Sequence, residues 1–177
     1  MAVLASDSVR VRDRDSGAFD ELFAREYRRV VGIAYRVLQN GAEAEDVAQD
    51  VFCDFLRRHP ADAPYAGPWL YRATTHAALN AVRGRKRRQR REEMGQPALA
   101  TDPGPEQAVI TGENRIEVRS ALARLSEKQA AILVLRYSGL SYAEVAEALG
   151  VKIGQVGTLL RRAETALRKE LGYDTSE

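Results

Sequence analysis

LSEKQAAILVLRYSGLSYAEVAEALGVKIGQVGTLLRRAETALRKEL, residues 125–171, is the stretch on which the fold turns. Ser141 followed by Glu144 has the spacing of a capping box, in which each side chain satisfies an orphan N–H at a helix start. Val145, Ala146 and Leu149 then supply one apolar face, and Gly150 tolerates the positive φ of a turn. A second helix follows, with Val156, Leu160, Ala163 and Leu167 at helical spacing. Its other positions include Gln155, Thr158, Arg161 and Arg162, side chains that hydrogen-bond bases or pair with phosphates. Two short helices about a glycine turn also occur in ordinary bundles. This stretch alone leaves a DNA-binding helix-turn-helix and a plain packing unit both open.

Working outward, Ser126 and Gln129 repeat the capping-box spacing. They open a helix expected to bury Ile132, Leu133, Leu135 and Tyr137 and to end at Gly139. Another helix is predicted near Asn114–Arg124. Before it, MGQPALATDPGPEQ, residues 94–107, is rich in proline, glycine and small residues and reads as a linker. From Phe19, the residues Leu22, Phe23, Tyr27, Val30, Val31, Ala34 and Leu38 share one face of a helix that Asn40-Gly41 should end. A helix from about Ala42 to Arg58 carries Ala44, Val47, Ala48, Val51, Phe52 and Phe55 as its inner stripe. The loop HPADAPYAGP, residues 59–68, holds three prolines, the last placed to begin a third helix. The expected fold is all-α, two small helical domains on a flexible linker. The predicted order is a disordered 1–15, a first domain over 16–93, a linker over 94–112, a second domain over 113–171 and a tail over 172–177.

The chain has 177 residues, 45% of them hydrophobic, as in ordinary folded proteins. A net charge of +2 does not by itself point to nucleic acid, but its distribution is uneven. RGRKRRQRR, residues 83–91, concentrates positive charge, while the second helix carries Asp46, Asp50 and Asp54. A basic block beside an acidic helix suggests two partners of opposite demand. The single Cys53 excludes an internal disulfide and is expected to be a small buried thiol. His59 and His76 do not have metal-ligand spacing, and no run approaches the length of a membrane span. The N-terminus turns charged too early for a secretory signal, so a cytoplasmic protein without membrane insertion is expected.

Asp46, Asp50 and Asp54 recur every four residues with Gln49 beside them, opposite the apolar stripe. Such a face is either solvated surface or a dock for an arginine-rich helix, since carboxylates accept the guanidinium fork. Tyr65, Trp69, Arg72 and His76 follow one another so that they could lie close together. Aromatic and guanidinium planes there suit unstacked bases, although Trp69 reads equally as core. Arg83, Arg85, Lys86, Arg87 and Arg88 would neutralise phosphate where that helix meets DNA. No phosphate loop, catalytic triad or metal cluster is present in the pattern, so no enzyme, metal or cofactor is expected.

Three motifs in order, DVAQDVFCDFLRR at 46–58, PWLYRATTHAALNAVRGRKRR at 68–88 and LSEKQAAILVLRYSGLSYAEVAEALG at 125–150, resemble an extracytoplasmic-function sigma factor of the sigma-70 family. The resemblance runs from about Ser16 to Leu171. It implies a region 2 domain, a region 4 helix-turn-helix domain, and no catalytic activity. Asp46, Gln49 and Asp50, with Asp54 less firmly, would then contact the β′ clamp of core RNA polymerase. Tyr65, Trp69, Arg72, His76, Arg83, Arg85, Lys86, Arg87 and Arg88 would recognise and melt the promoter −10 element and capture a flipped base. Ser141, Tyr142, Lys152, Gln155, Thr158, Arg161 and Arg162 would read the −35 element, with the β flap against the second domain's apolar surface. An anti-sigma factor would control the whole, and the linker would run toward the polymerase active site and RNA exit.

The departures from the family pattern, S-x-G-T-V-K-S-R-L-x-R-A, lie in the recognition helix. Lys152 stands for the serine cap, a loss of about 1 kcal/mol at the helix start. Gly157 costs a similar order and removes a basic contact. Leu159 replaces an arginine that meets phosphate, and if exposed it would face an inhibitor protein instead. The alternative to a sigma factor is a free-standing helix-turn-helix regulator that binds duplex DNA as a dimer without polymerase.

Overall fold

Seven helices make up the secondary structure of the computed structural model, which describes residues 4–94 and 109–173, with side chains at 17–92, 94 and 115–173. They are α1 Leu4–Leu38, α2 Gly41–Arg58, α3 Ala66–Glu93, α4 Val109–Arg124, α5 Glu127–Tyr137, α6 Tyr142–Leu149 and α7 Ile153–Glu170. The all-α expectation holds. Helices α1–α3 form one bundle and α4–α7 the second.

In the first bundle the stripes meet as their spacing requires. Ala44, Ala48, Val51, Phe52 and Phe55 of α2 are buried against Leu22, Val30, Ala34 and Leu38 of α1, joined by Ile33 and Val37. Helix α1 begins at Leu4, well before the Ser16 start expected from the sequence, because no proline or glycine interrupts the chain before Gly17. Its other end also differs. Gln39, not Asn40 or Gly41, takes the left-handed conformation with φ 55°, and its side-chain amide donates to the Tyr35 and Arg36 carbonyls at 3.2 and 3.0 Å. Asn40 instead caps α2, accepting from the Glu43 N–H at 3.1 Å.

Pro68 sits in the third position of α3 rather than the first, where its missing N–H is still one of the helix's orphans. Cys53 is exposed, not buried. It follows Gln49 by one helical turn and therefore shares the polar face of α2. Helix α4 takes in 109–112 of the expected linker and Met94 is the C-cap of α3, while 95–108 lie outside the described residues, as do 1–3 and 174–177.

The second bundle follows its capping signals. Ser126 and Ser141 both form complete capping boxes, with Gln129 and Glu144 as their reciprocal partners. Gly150 ends α6 at φ 64°, and the Val151 N–H returns to the Ala146 carbonyl at 3.0 Å, as in a Schellman ending. Two expectations fail here. Tyr137 is 56% exposed, because it is the last residue of α5, beyond the turn that residues 130–135 bury on every side. Its hydroxyl donates to Glu164 at 2.8 Å. Leu159 is partly buried against the core rather than exposed, beside Val156, Leu160 and Ala163 on a stripe wide enough to meet both α5 and α6.

One buried polar group stands out in the first bundle. Glu26 is 7% exposed and accepts the Tyr71 hydroxyl at 2.5 Å and the Arg25 guanidinium at 2.9 Å. Burial, then the neighbouring Glu26 carboxylate, pushes the Tyr71 phenol up to about 12. An unfolded tyrosine ionises near pH ~10, so the stability linked to Tyr71 is whole below that pH and is lost as pH rises through about 12. Tyr71→Phe strands a buried acceptor and should cost about 1–3 kcal/mol at neutral pH. Urea denaturation across the alkaline range checks both effects, because the gap between wild type and variant should close as the pH climbs.

Candidate nucleic-acid interface

Three surfaces gather the sequence-predicted residues. On α2, Asp46, Gln49 and Asp50 are all exposed on one side, held by the buried Ala44–Ala48–Val51–Phe55 stripe opposite. Asp54 departs from them. It is half-buried and folded back onto its own helix, pairing with Arg58 at 2.8 Å and Arg57 at 3.6 Å.

The residues predicted around the proline loop fall into two groups. Tyr65, 44% exposed, and Trp69 converge on His59, with ring centroids 5.6 and 5.3 Å from the imidazole. Phe55 closes the cluster from below, 5.3 Å from the Trp69 ring. Trp69 is thus neither full core nor free surface. One face of it rests on the bundle, and the cluster is edged by exposed tyrosine. His59, not among the site residues singled out from the sequence, joins this cluster, and its place at the loop entry, one turn from Phe55, is the signal that points to it. Arg72 and His76 turn elsewhere, lining an open groove against Ser126, Glu127 and Lys128 of the second bundle. The His76 imidazole pairs with the Glu127 carboxylate.

The basic block divides in the same way. Arg87 and Arg88 are exposed. Arg83 donates to the Leu125 carbonyl at 3.0 Å and the Ala123 carbonyl at 3.4 Å, at the C-terminal end of α4. Lys86 reaches the Ser120 carbonyl at 3.5 Å. Its ammonium is held below the usual lysine range, first by burial and then by the nearby Arg124 and Arg90. Arg85 pairs with Glu43 of α2.

On the third surface, Lys152, Gln155, Thr158, Arg161 and Arg162 line the outer side of α6–α7, all exposed. Ser141 and Tyr142 open α6, and the Arg136 guanidinium lies 5.6 Å over the Tyr142 ring. Lys152 has no side chain that accepts from the helix, so the α7 cap is half made. The Gln155 Oε1 accepts the Lys152 N–H at 3.1 Å, while the Gln155 N–H turns to the Lys152 backbone carbonyl at 2.9 Å instead of a side chain.

Sigma-70 region 2 matches residues 22–88 and Sigma-70 region 4 matches residues 115–167. Among relatives, the ECF RNA polymerase sigma factor SigE of Mycolicibacterium smegmatis is 35% identical over 90% of this chain. The chain belongs to the extracytoplasmic-function group of the sigma-70 family. It spans 64% of the length of that SigE relative, and 90% of the RNA polymerase sigma-H factor of Pseudomonas aeruginosa, which is 29% identical over 92% of this chain. In fold it is similar to the sigma factor RpoE solved with the anti-sigma factor NepR from Bartonella quintana, at TM-score 0.50 and 21% identity over 88% of this chain and 98% of that one. It is also similar to CnrH solved with the cytosolic domain of CnrY, at TM-score 0.52 and 21% identity over 89% of each chain.

For a sigma factor the two regions are therefore the two bundles, the region 2 match lying within α1–α3 and the region 4 match within α4–α7. No helix among the described residues is long and apolar enough to cross a membrane. The departures in α7 also acquire a physical reading. A Cβ at Gly157 would lie 3.7 Å from the Tyr142 ring, an ordinary contact, and the position is helical. Gly157→Ala should therefore stabilise the second bundle by about 0.5–1 kcal/mol. The thermal midpoint by circular dichroism checks it, and a lower midpoint would mean that α6 and α7 require the bare backbone there.

Proposed function

We propose that this chain binds core RNA polymerase through Asp46, Gln49 and Asp50 and directs it to promoters through region 2 at the −10 element and region 4 at the −35 element. The observation that carries the reading is the separation of its charged faces. An exposed acidic face lies on α2, and exposed Arg161 and Arg162 lie on α7 of the other bundle. A β′ helix rich in arginine suits the first, since each carboxylate accepts two parallel N–H bonds. Duplex phosphate and base edges suit the second. Asp54, committed to Arg57 and Arg58, is left out of the polymerase contact.

At the −10 element the Tyr65–His59–Trp69 cluster supplies aromatic faces for an unstacked base. Arg72, Arg87 and Arg88 stand exposed along the same helix for phosphate. An anti-sigma factor as regulator is supported by the RpoE structure, solved with one. A free-standing helix-turn-helix regulator is not favoured, because such a protein has no use for a region 2 bundle, and this chain matches region 2 over 22–88.

Asp50→Arg should abolish co-purification with core polymerase while leaving the helical circular dichroism intact, since the position is exposed. Retained co-purification removes α2 from the polymerase contact. Arg161→Ala with Arg162→Ala should weaken binding of −35 duplex to the holoenzyme. It should also lower the slope of log affinity against log salt by up to about 2, roughly one per phosphate contact. An unchanged slope takes both arginines off the DNA.

A further inference from the structure

Where α3 leaves the first bundle, its cations run into cations of the second. Arg83, Lys86 and Arg90 recur at helical spacing and share one face of α3. That face meets the C-terminal end of α4, where Arg124 stands. Arg83 is satisfied there, because its guanidinium donates to the Ala123 and Leu125 carbonyls. Arg124 turns to Glu170 at the end of α7, bonding its carboxylate and, at 2.7 Å, its backbone carbonyl. Among the described residues, Glu170 is the one carboxylate that acts on Lys86.

A seam between two bundles normally sets opposite charges against each other. Here Lys86, Arg90 and Arg124 gather around a single carboxylate that Arg124 already holds. The Lys86 ammonium shows the consequence. Burial, then Arg124 and Arg90, hold it below the usual lysine range, and Glu170 offsets only part of this. An ammonium has three N–H donors. Among the described residues one of them finds a partner, the Ser120 carbonyl at a long 3.5 Å. Arg90 and Arg124 are exposed, so a solute reaches the group from outside.

We propose that Lys86, Arg90 and Arg124 form a binding site for a terminal diphosphate or longer oligophosphate, the anionic end of a nucleotide. Charge density decides the class. A terminal phosphate carries about two negative charges near neutral pH and offers three strong acceptor oxygens. A phosphate of the nucleic-acid backbone carries one charge, and its neighbours are spread along the strand. Cations converging from α3 and α4 suit the first, and cations set out along a helix, as Arg87 and Arg88 are, suit the second. The anion satisfies the free Lys86 donors and competes with Glu170 for the Arg124 guanidinium. The site needs α3 beside α4, and nothing in it depends on the promoter reading above.

Isothermal titration calorimetry of the full chain with inorganic pyrophosphate, at fixed ionic strength, tests the site. One saturable site per chain is expected, with orthophosphate weaker by about tenfold. Lys86→Gln should weaken pyrophosphate by about tenfold, the loss of one charge-assisted bond. Arg91→Gln takes the same charge from another face of the same helix and should change the affinity by less than about twofold. Glu170→Gln gives the opposite sign. If the Arg124–Glu170 pair only fastens α4 to α7, its loss leaves pyrophosphate binding equal or weaker. At an anion site it frees Arg124 and removes the competing carboxylate, so binding should tighten by about threefold, with helical circular dichroism unchanged.

Equal losses in Lys86→Gln and Arg91→Gln reduce the cluster to a diffuse field and overturn the site. Equal or weaker binding in Glu170→Gln takes Arg124 out of it, and the three-cation site falls. A DNA single strand without terminal phosphates should leave bound pyrophosphate in place at equal phosphate concentration. Displacement by that strand makes the cluster a backbone contact for nucleic acid instead, and the oligophosphate site is overturned.

Discussion

Helix α3 is buried on two sides, and the rest of the molecule is arranged around that constraint. Leu70, Tyr71, Thr74, Thr75, Ala78 and Leu79 are all nearly inaccessible, facing α1 and α2 or the second bundle. A helix so enclosed must satisfy every polar group it carries, since an unpaired one costs about 1–3 kcal/mol. Thr74 and Thr75 do so locally, donating to the Leu70 and Tyr71 carbonyls one turn back, at 2.7 and 2.8 Å. Tyr71 does so across the bundle, through Glu26. Toward its end, where α3 leaves the first bundle, cations replace hydroxyls, and they meet the carbonyls of α4.

Seen this way the basic block has two kinds of member. Arg83 and Lys86 are partly buried and bonded to backbone, so within this arrangement they act as caps for α4. Arg87 and Arg88, one turn on, are solvated. The difference is one of position on the helix rather than of residue type. Interfaces between domains of one chain resemble transient protein–protein contacts. The ties between the bundles are partly exposed pairs and carbonyl caps, each worth about 1 kcal/mol or less.

Much of this was legible in the residues. The stripes of α2 and α7, the two serine capping boxes and the glycine that ends α6 each have a local cause within a few positions, and the structure follows them. What escaped were features set at a distance. Gln39 takes the left-handed turn because its own amide can cap α1, a choice that a neighbouring Asn-Gly pair conceals. Residue type favours burial of Cys53 and Tyr137, but Cys53 lies on the polar face of α2 and Tyr137 at the open end of α5. Leu159 was judged by what relatives carry there, while the width of the α7 stripe governs it here. The pairing of Arg29 with Glu144, and of Arg119 with Leu38, spans more of the chain than any periodicity can reach.

The half-made cap of α7 has a chemical consequence for what its first turn can display. With Oε1 turned back to the Lys152 N–H, Gln155 presents its amide NH₂ outward. Adenine in the major groove asks for an acceptor and a donor side by side, and in this posture one of the two lone pairs of the Gln155 Oε1 is already engaged. Guanine and thymine show acceptors to the groove, and a donor alone suffices for them. On the proposed −35 reading, a residue that finishes its own helix would bring to the groove a free donor and a half-used acceptor.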